Sequence, residues 1–218
     1  MSQNLSRRTF LAGVSAASVL ATRDLHAQQA MPTTPDAALQ RLMEGNKRFA
    51  ADQLLSFAED LKILKANTVD KQEPFAAVLS CADSRVPVEL VFDQTIGHIF
   101  VVRVAGNIIN AEIVGSLEYG AAVLGVKVLL VIGHASCGAV TAAMGKKTVP
   151  GQIASLYPHL EQAIEGGGSA EEIIKRNAVI QANLLAKTST VLGPMVKEGK
   201  LKIQGAYFDL ATGKVSLL

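Results

Sequence analysis

The sequence predicts an α/β fold with a mostly parallel central sheet and flanking helices, and three observations carry that expectation. Short apolar runs of strand length alternate with helix-length segments, as parallel strands joined by crossover helices require. The chain has 218 residues, 49% of them hydrophobic, which suits one domain with a substantial core and is short for two. Helix start and stop signals fall between the apolar runs rather than inside them.

Residues 1–30 read as a targeting segment. Arg7 and Arg8 precede an apolar run from Leu11 to Ala21, and small residues at Ala27 and Ala30 offer cleavage points. The run is far below the roughly 20 residues a membrane span needs, so no stable span is expected. Paired arginines before such a run resemble the twin-arginine signal, whose pathway carries folded proteins. The resemblance implies a periplasmic or otherwise exported protein with a single domain over 31–218.

Within that domain, Thr33 to Ala51 has apolar positions at Leu39, Leu42, Met43 and Phe49, an amphipathic helix with Asp36 available as its cap. A second helical stretch follows to about Asn67. Strands are expected over Phe75–Ser80, Ile99–Val104, Lys127–Ile132 and Leu201–Tyr207. Val114–Leu124 is small and apolar on nearly every side, as in a helix buried against a sheet or a partner. Glycines at 166 to 168 end one helix and form a loop rather than a phosphate cradle, since no strand directly precedes them and no Lys-Ser/Thr follows. Ser169 with Glu172 makes a capping box for the next helix, expected to run to about Leu192 before Gly193-Pro194 stops it. Phe208–Leu218, turning at Ala211-Thr212-Gly213, closes the chain as a hairpin or edge strand.

Of the 21 basic and 19 acidic residues, Arg7, Arg8, Arg23 and Asp24 fall in the first thirty positions, so the formal charge of +2 resides there and the remaining chain is balanced. Without a basic stripe, nucleic-acid binding has no electrostatic source. The two cysteines, Cys81 and Cys137, each sit among other ligand-type residues.

Both cysteine segments fall at carboxyl ends of expected strands: Ser80-Cys81-Ala82-Asp83-Ser84-Arg85 after the first, and Gly133-His134-Ala135-Ser136-Cys137-Gly138 after the third. Ligands bind at that edge of an open parallel sheet, so two distant segments can meet there on one metal. Two thiolates and an imidazole from Cys81, His134 and Cys137 suit tetrahedral zinc, with a fourth position left for water. Asp83 is near enough to join them. Arg85 can instead grip its carboxylate through two parallel hydrogen bonds, leaving Asp83 to accept a proton from zinc-bound water. The resulting hydroxide would attack a small electrophilic carbon. Taken singly, each part has an ordinary reading: a buried small cysteine, a surface Asp-Arg pair, a core histidine. Together they are far more specific.

The segments CADSRV and Glu118-Tyr119 through GHASCG, with FVVRVAGN between them, resemble the signature motifs of β-carbonic anhydrases over about residues 35 to 218. The resemblance implies reversible hydration of carbon dioxide to bicarbonate, with Cys81, His134 and Cys137 as zinc ligands and Asp83 and Arg85 as a gating dyad. It places Gln72 where the family hydrogen-bonds substrate, and Phe100, Ala105 and Tyr119 at pocket-lining positions. It also implies a homodimer or a tetramer of dimers whose N-terminal helices embrace a neighbour. Val104 and His98 depart from common family residues near the mouth of the site. A bicarbonate-binding regulatory site built in one subgroup from Trp, Arg and Tyr retains here only Arg103, with Val78 and Phe208 at the other two positions.

Three competing readings differ in what they require. Carbonyl sulfide or carbon disulfide hydrolysis would use the same residues. A non-catalytic zinc-binding protein with Asp83 closing the site would not need Arg85. A thiol redox protein is disfavoured because no Cys-x-x-Cys pair is present.

Overall fold

The computed structural model describes residues 31–56, 65 and 68–218. The targeting segment and nearly all of the expected second helix lie outside the described residues.

Among the described residues the first element is α1 (Pro35–Ala50), and after it come β1 (Ala76–Ser80), the single turn α2 (Val88–Val91), β2 (Ile99–Arg103) and α3 (Ala111–Ala122). Then come β3 (Val128–His134), α4 (Gly138–Met144), α5 (Glu161–Glu165), α6 (Ala170–Thr188), α7 (Leu192–Lys197), β4 (Lys202–Phe208) and β5 (Val215–Leu217). The five strands form one sheet in the order β2-β1-β3-β4-β5, parallel throughout except for the antiparallel β4–β5 hairpin. Among the described residues, no helix is long and apolar enough to cross a membrane.

Strand alternation sorts the core. Side chains two apart share a face, so Ala76 and Val78 of β1, Val128, Leu130 and Ile132 of β3 and Ala206 and Phe208 of β4 pack together under α1 and α2. The intervening Ala77, Leu79, Leu129 and Val131 face the other way, onto α3, α6 and α7 through Leu117, Ala121, Ala182, Leu185 and Leu192. A third cluster closes the carboxyl end of the sheet and includes Cys81, Cys137, Ile173, Ile174 and Tyr207.

Several boundaries differ from the sequence expectation for identifiable reasons. Thr34, not Asp36, caps α1: its hydroxyl accepts from the Ala37 amide, and Pro35 fits the first turn because no amide is needed there. The helix expected from Val114 starts earlier, at Ala111, because the Asn110 side chain accepts from the Ile113 amide. The Ser169–Glu172 capping box is present, but α6 ends at Thr188. Gly193-Pro194 does not stop α6; it lies in the first turn of α7, where proline costs no hydrogen bond and a glycine Cβ would come within 2.8 Å of the Ala186 carbonyl oxygen. β3 extends two residues beyond Ile132 and carries His134 as its last residue.

The inner face of α1 belongs to this chain's own core, with Ala38 and Leu42 fully buried. Asn46 ties the helix to both neighbours: its amide donates to the Val91 and Gly213 carbonyls, and its oxygen accepts from the Val215 amide.

Candidate metal centre

β1 and β3 are direct neighbours with Ser80 opposite Ile132, so the segments leaving their carboxyl ends start side by side. Cys81 is the first residue after β1, His134 the last of β3, and Cys137 the residue preceding α4. Ser136 takes a left-handed conformation (φ 56°) that turns the chain between the histidine and the second cysteine. The ligand atoms of all three residues lie within 4.8 Å of one another, and all three residues are buried. The two sulfurs are 4.0 Å apart, close to the separation of about 3.8 Å expected for sulfur ligands about 2.3 Å from one tetrahedral zinc.

The orientation of His134 supports the same fit. Its Nδ1 lies 2.9 Å from the Ala135 carbonyl oxygen, which can only accept, so Nδ1 carries the ring proton and Nε2 presents its lone pair to the cysteines. Nε2 is fully buried and has no hydrogen-bond partner among the described residues. Such an orphaned atom is costly unless something else engages it. A buried imidazole nitrogen facing two thiols is a donor set suited to zinc.

Electrostatics divide the thiols. The hydrogen bond with Cys137 pulls the Cys81 thiol well below its ordinary value against the opposing effect of burial, with help from His134 and the Gly106 amide. The same bond, and then burial, push Cys137 up.

Asp83 stands beside this group and is held away from it. Its Oδ1 accepts from the Arg85 backbone amide and Nε, each at 2.9 Å, and its Oδ2 accepts from Arg85 Nη2 at 2.7 Å. Nη2 also donates to the Ser136 carbonyl at 3.3 Å, tying the dyad to the other ligand loop. Asp83 Oδ2 is 3.8 Å from His134 Nε2. The Arg85 side chain holds the Asp83 carboxyl well below the usual carboxylate range, against partial burial.

The pocket-lining positions are placed unequally. Ala105 opens a short 3₁₀ turn, and the next residue, Gly106, donates its amide to Cys81 Sγ at 3.4 Å. Phe100 lies inside β2, and its ring is 6.2 Å from that of Tyr119 on α3, which is 47% exposed. Gln72 is exposed and precedes β1, whereas Cys81 follows it. About 16 Å of strand separates the two within one chain, so this chain does not bring its own Gln72 to the ligands. Val78 and Phe208 are core residues of the α1 face.

Two contacts were not legible in the sequence: the Gly106 amide on Cys81, and Arg103, whose side chain reaches the ligand loop. Only the pairing of β2 with β1, which puts Arg103 opposite Ser80, reveals the second.

Comparison with known proteins agrees with this geometry. The carbonic anhydrase family profile matches residues 76–215. Carbonic anhydrase 2 of Mycobacterium tuberculosis is 34% identical over 197 residues, covering 86% of this chain and 95% of that protein. The β-carbonic anhydrase of Coccomyxa, solved with acetazolamide, superposes with a TM-score of 0.64 at 25% identity, over 83% of this chain and 86% of the other. Tetrameric β-carbonic anhydrases of Sordaria macrospora share the fold at a TM-score of 0.59 and 20% identity, over 97% and 98% of the two chains. Fold, ligand geometry and relatives converge, and the chain belongs to the β-carbonic anhydrase family of enzymes.

Proposed function

We propose that this enzyme hydrates carbon dioxide reversibly to bicarbonate and a proton, using a zinc ion held by Cys81, His134 and Cys137. One observation carries the reading: three buried donor atoms converge within 4.8 Å while the adjacent carboxylate is gripped by Arg85 rather than turned into the group. When bound, zinc would supply the Lewis acidity that makes water nucleophilic. The chain's own residues do the rest. Arg85 holds the Asp83 carboxylate aside through the paired bonds to its two oxygens, so the fourth position stays open. Asp83, kept ionised, accepts a proton at Oδ2. The Gly106 amide steadies the Cys81 sulfur, and the Ala135 carbonyl fixes the tautomer of His134.

A second copy of the chain completes the pocket in this reading. Tyr119 of α3 is exposed beside Phe100 on the edge strand β2, Val123 just after the helix is exposed as well, and Gln72 sits too far from its own Cys81 to serve it. The solved Sordaria relatives are tetrameric. A single-chain mass by light scattering would sink this part of the proposal.

Export through the twin-arginine route is likewise proposed, on the paired Arg7 and Arg8 before the apolar run. In fractionated cells, Arg7→Lys with Arg8→Lys should leave the enzyme in the cytoplasm; unchanged export returns the segment to the general secretory class.

The test of the reaction is elemental analysis with stopped-flow hydration of carbon dioxide on the purified protein. One zinc per chain and rapid hydration are expected. Absence of zinc overturns the proposal, and faster turnover of carbonyl sulfide or carbon disulfide reassigns the substrate.

A further inference from the structure

Arg103 is the last residue of β2 and lies opposite Ser80, the residue before the first ligand. Its side chain crosses to the loop that follows β1. Nε donates to the Cys81 carbonyl at 2.9 Å and Nη2 to the Asp83 carbonyl at 2.5 Å. Among the described residues it forms no ion pair with a carboxylate; the fork is given to two backbone carbonyls of one loop.

We infer that Arg103 is a positioning residue for the hydration reaction, a clamp that sets how far the Asp83 carboxylate stands from the metal ligands. The inference rests on the zinc site and the Asp83 gate proposed above.

The geometry explains why a clamp is needed. Ala82, Ser84 and Arg85 are exposed, so the loop between Cys81 and Val86 has little packing to hold it. The Asp83–Arg85 pair lies within that loop and can move with it. Its outward ties are the 3.3 Å bond from Arg85 to the Ser136 carbonyl and the two bonds from Arg103. A guanidinium is planar, with its donors in a rigid fork. By accepting from two arms of one fork, the Cys81 and Asp83 carbonyls are held facing the same way, which restricts the backbone torsions between the first ligand and the gate. Arg85 therefore grips the carboxylate of Asp83, and Arg103 grips its main chain from a different strand. The Asp83 carbonyl also accepts from the Val86 amide, which closes the loop onto the core.

Without Arg103 the loop gains freedom, and Asp83 can swing onto the metal despite Arg85. Lysine at this position keeps a charge and an aliphatic stem but lacks the planar fork that spans both carbonyls.

The experiment compares wild type, Arg103→Ala, Arg103→Lys and Arg85→Ala, each loaded with zinc and, separately, with cobalt(II). Metal content, carbon dioxide hydration and the visible absorption of the cobalt form are measured on every protein. Arg103→Ala should keep one metal per chain and lose about tenfold in kcat at neutral pH, the scale of one net hydrogen bond, with KM little changed. Its cobalt spectrum should move toward that of Arg85→Ala, as expected when a carboxylate takes the fourth position, and return toward wild type as pH rises. Arg103→Lys should resemble Arg103→Ala. A wild-type rate and spectrum in Arg103→Ala, or full rescue by lysine, overturns the clamp. Loss of metal or of folding in both variants makes Arg103 a structural residue and also overturns it. A wild type that neither holds zinc nor hydrates carbon dioxide instead retires the underlying reading of the site, a result separable from failure at Arg103.

Discussion

In the proposed reading of the site, Asp83 and Arg85 carry opposite demands within one loop. A carboxylate beside a metal site is a competing ligand as well as a proton acceptor, and only its direction separates the two roles. Three donor contacts from Arg85 set that direction. Arg85→Ala should therefore leave zinc in place and lower hydration by about a hundredfold or more, the loss associated with removing a charge-assisted bidentate pair of about 3 kcal/mol. Zinc content measured alongside the rate checks it, and a wild-type rate with zinc retained removes the gate. The pH course has a definite sign. Two thiolates give the metal more electron density than three imidazoles do, so bound water should be less acidic than the pKa of about 7 of a three-histidine site, and activity should climb through the alkaline range. For stability, the Asp83 carboxyl is held below its unfolded value, so its contribution is complete above the unfolded pKa of about 3.9 and fades as pH falls toward the lower folded value.

Elements are positioned by contacts that residue types announce only in part. The strands were legible because each is a bounded apolar run, and the meeting of Cys81, His134 and Cys137 was legible because both cysteine segments follow such runs. The break between α6 and α7 was not. Glycine and proline punctuate chains equally well at a helix end or in a first turn, and here the close approach of Gly193 to Ala186 decided for the turn. The Arg103 clamp was hidden for a different reason: hydrogen bonds to backbone carbonyls leave no complementary side chain to be noticed, and strand order had to be known first. Gly133 shows the same dependence on packing. A Cβ there would lie 2.8 Å from Ile174 Cγ2 and 3.0 Å from its carbonyl oxygen, so α6 rests directly on β3 one residue before His134. Gly133→Ala should destabilise the fold by about 1–3 kcal/mol through overpacking and weaken metal retention, because the displaced residue adjoins a ligand. Thermal denaturation and competition with a chelator read the two effects; an unchanged melting temperature would mean α6 yields without cost.

At the scale of the whole molecule, the direct pairing of β1 with β3 has a consequence for how the protein assembles. The two cysteines it brings together are 56 residues apart in the chain, and β2 and α3 must be laid down between them before the strands can meet. Such long-range parallel pairing is closed late, because its loop entropy is lost before the contacts form. If the cluster of Cys81, His134 and Cys137 takes shape after the rate-limiting crossing, a metal that engages only the finished cluster slows escape from the native state without hastening arrival. Denaturant-jump measurements on zinc-loaded and zinc-stripped protein should show unfolding slowed by metal by at least about tenfold, with refolding rates agreeing within about twofold. If refolding accelerates in step, the cage is already assembled at the barrier, and the metal is part of the folding nucleus rather than a lock applied to the finished molecule.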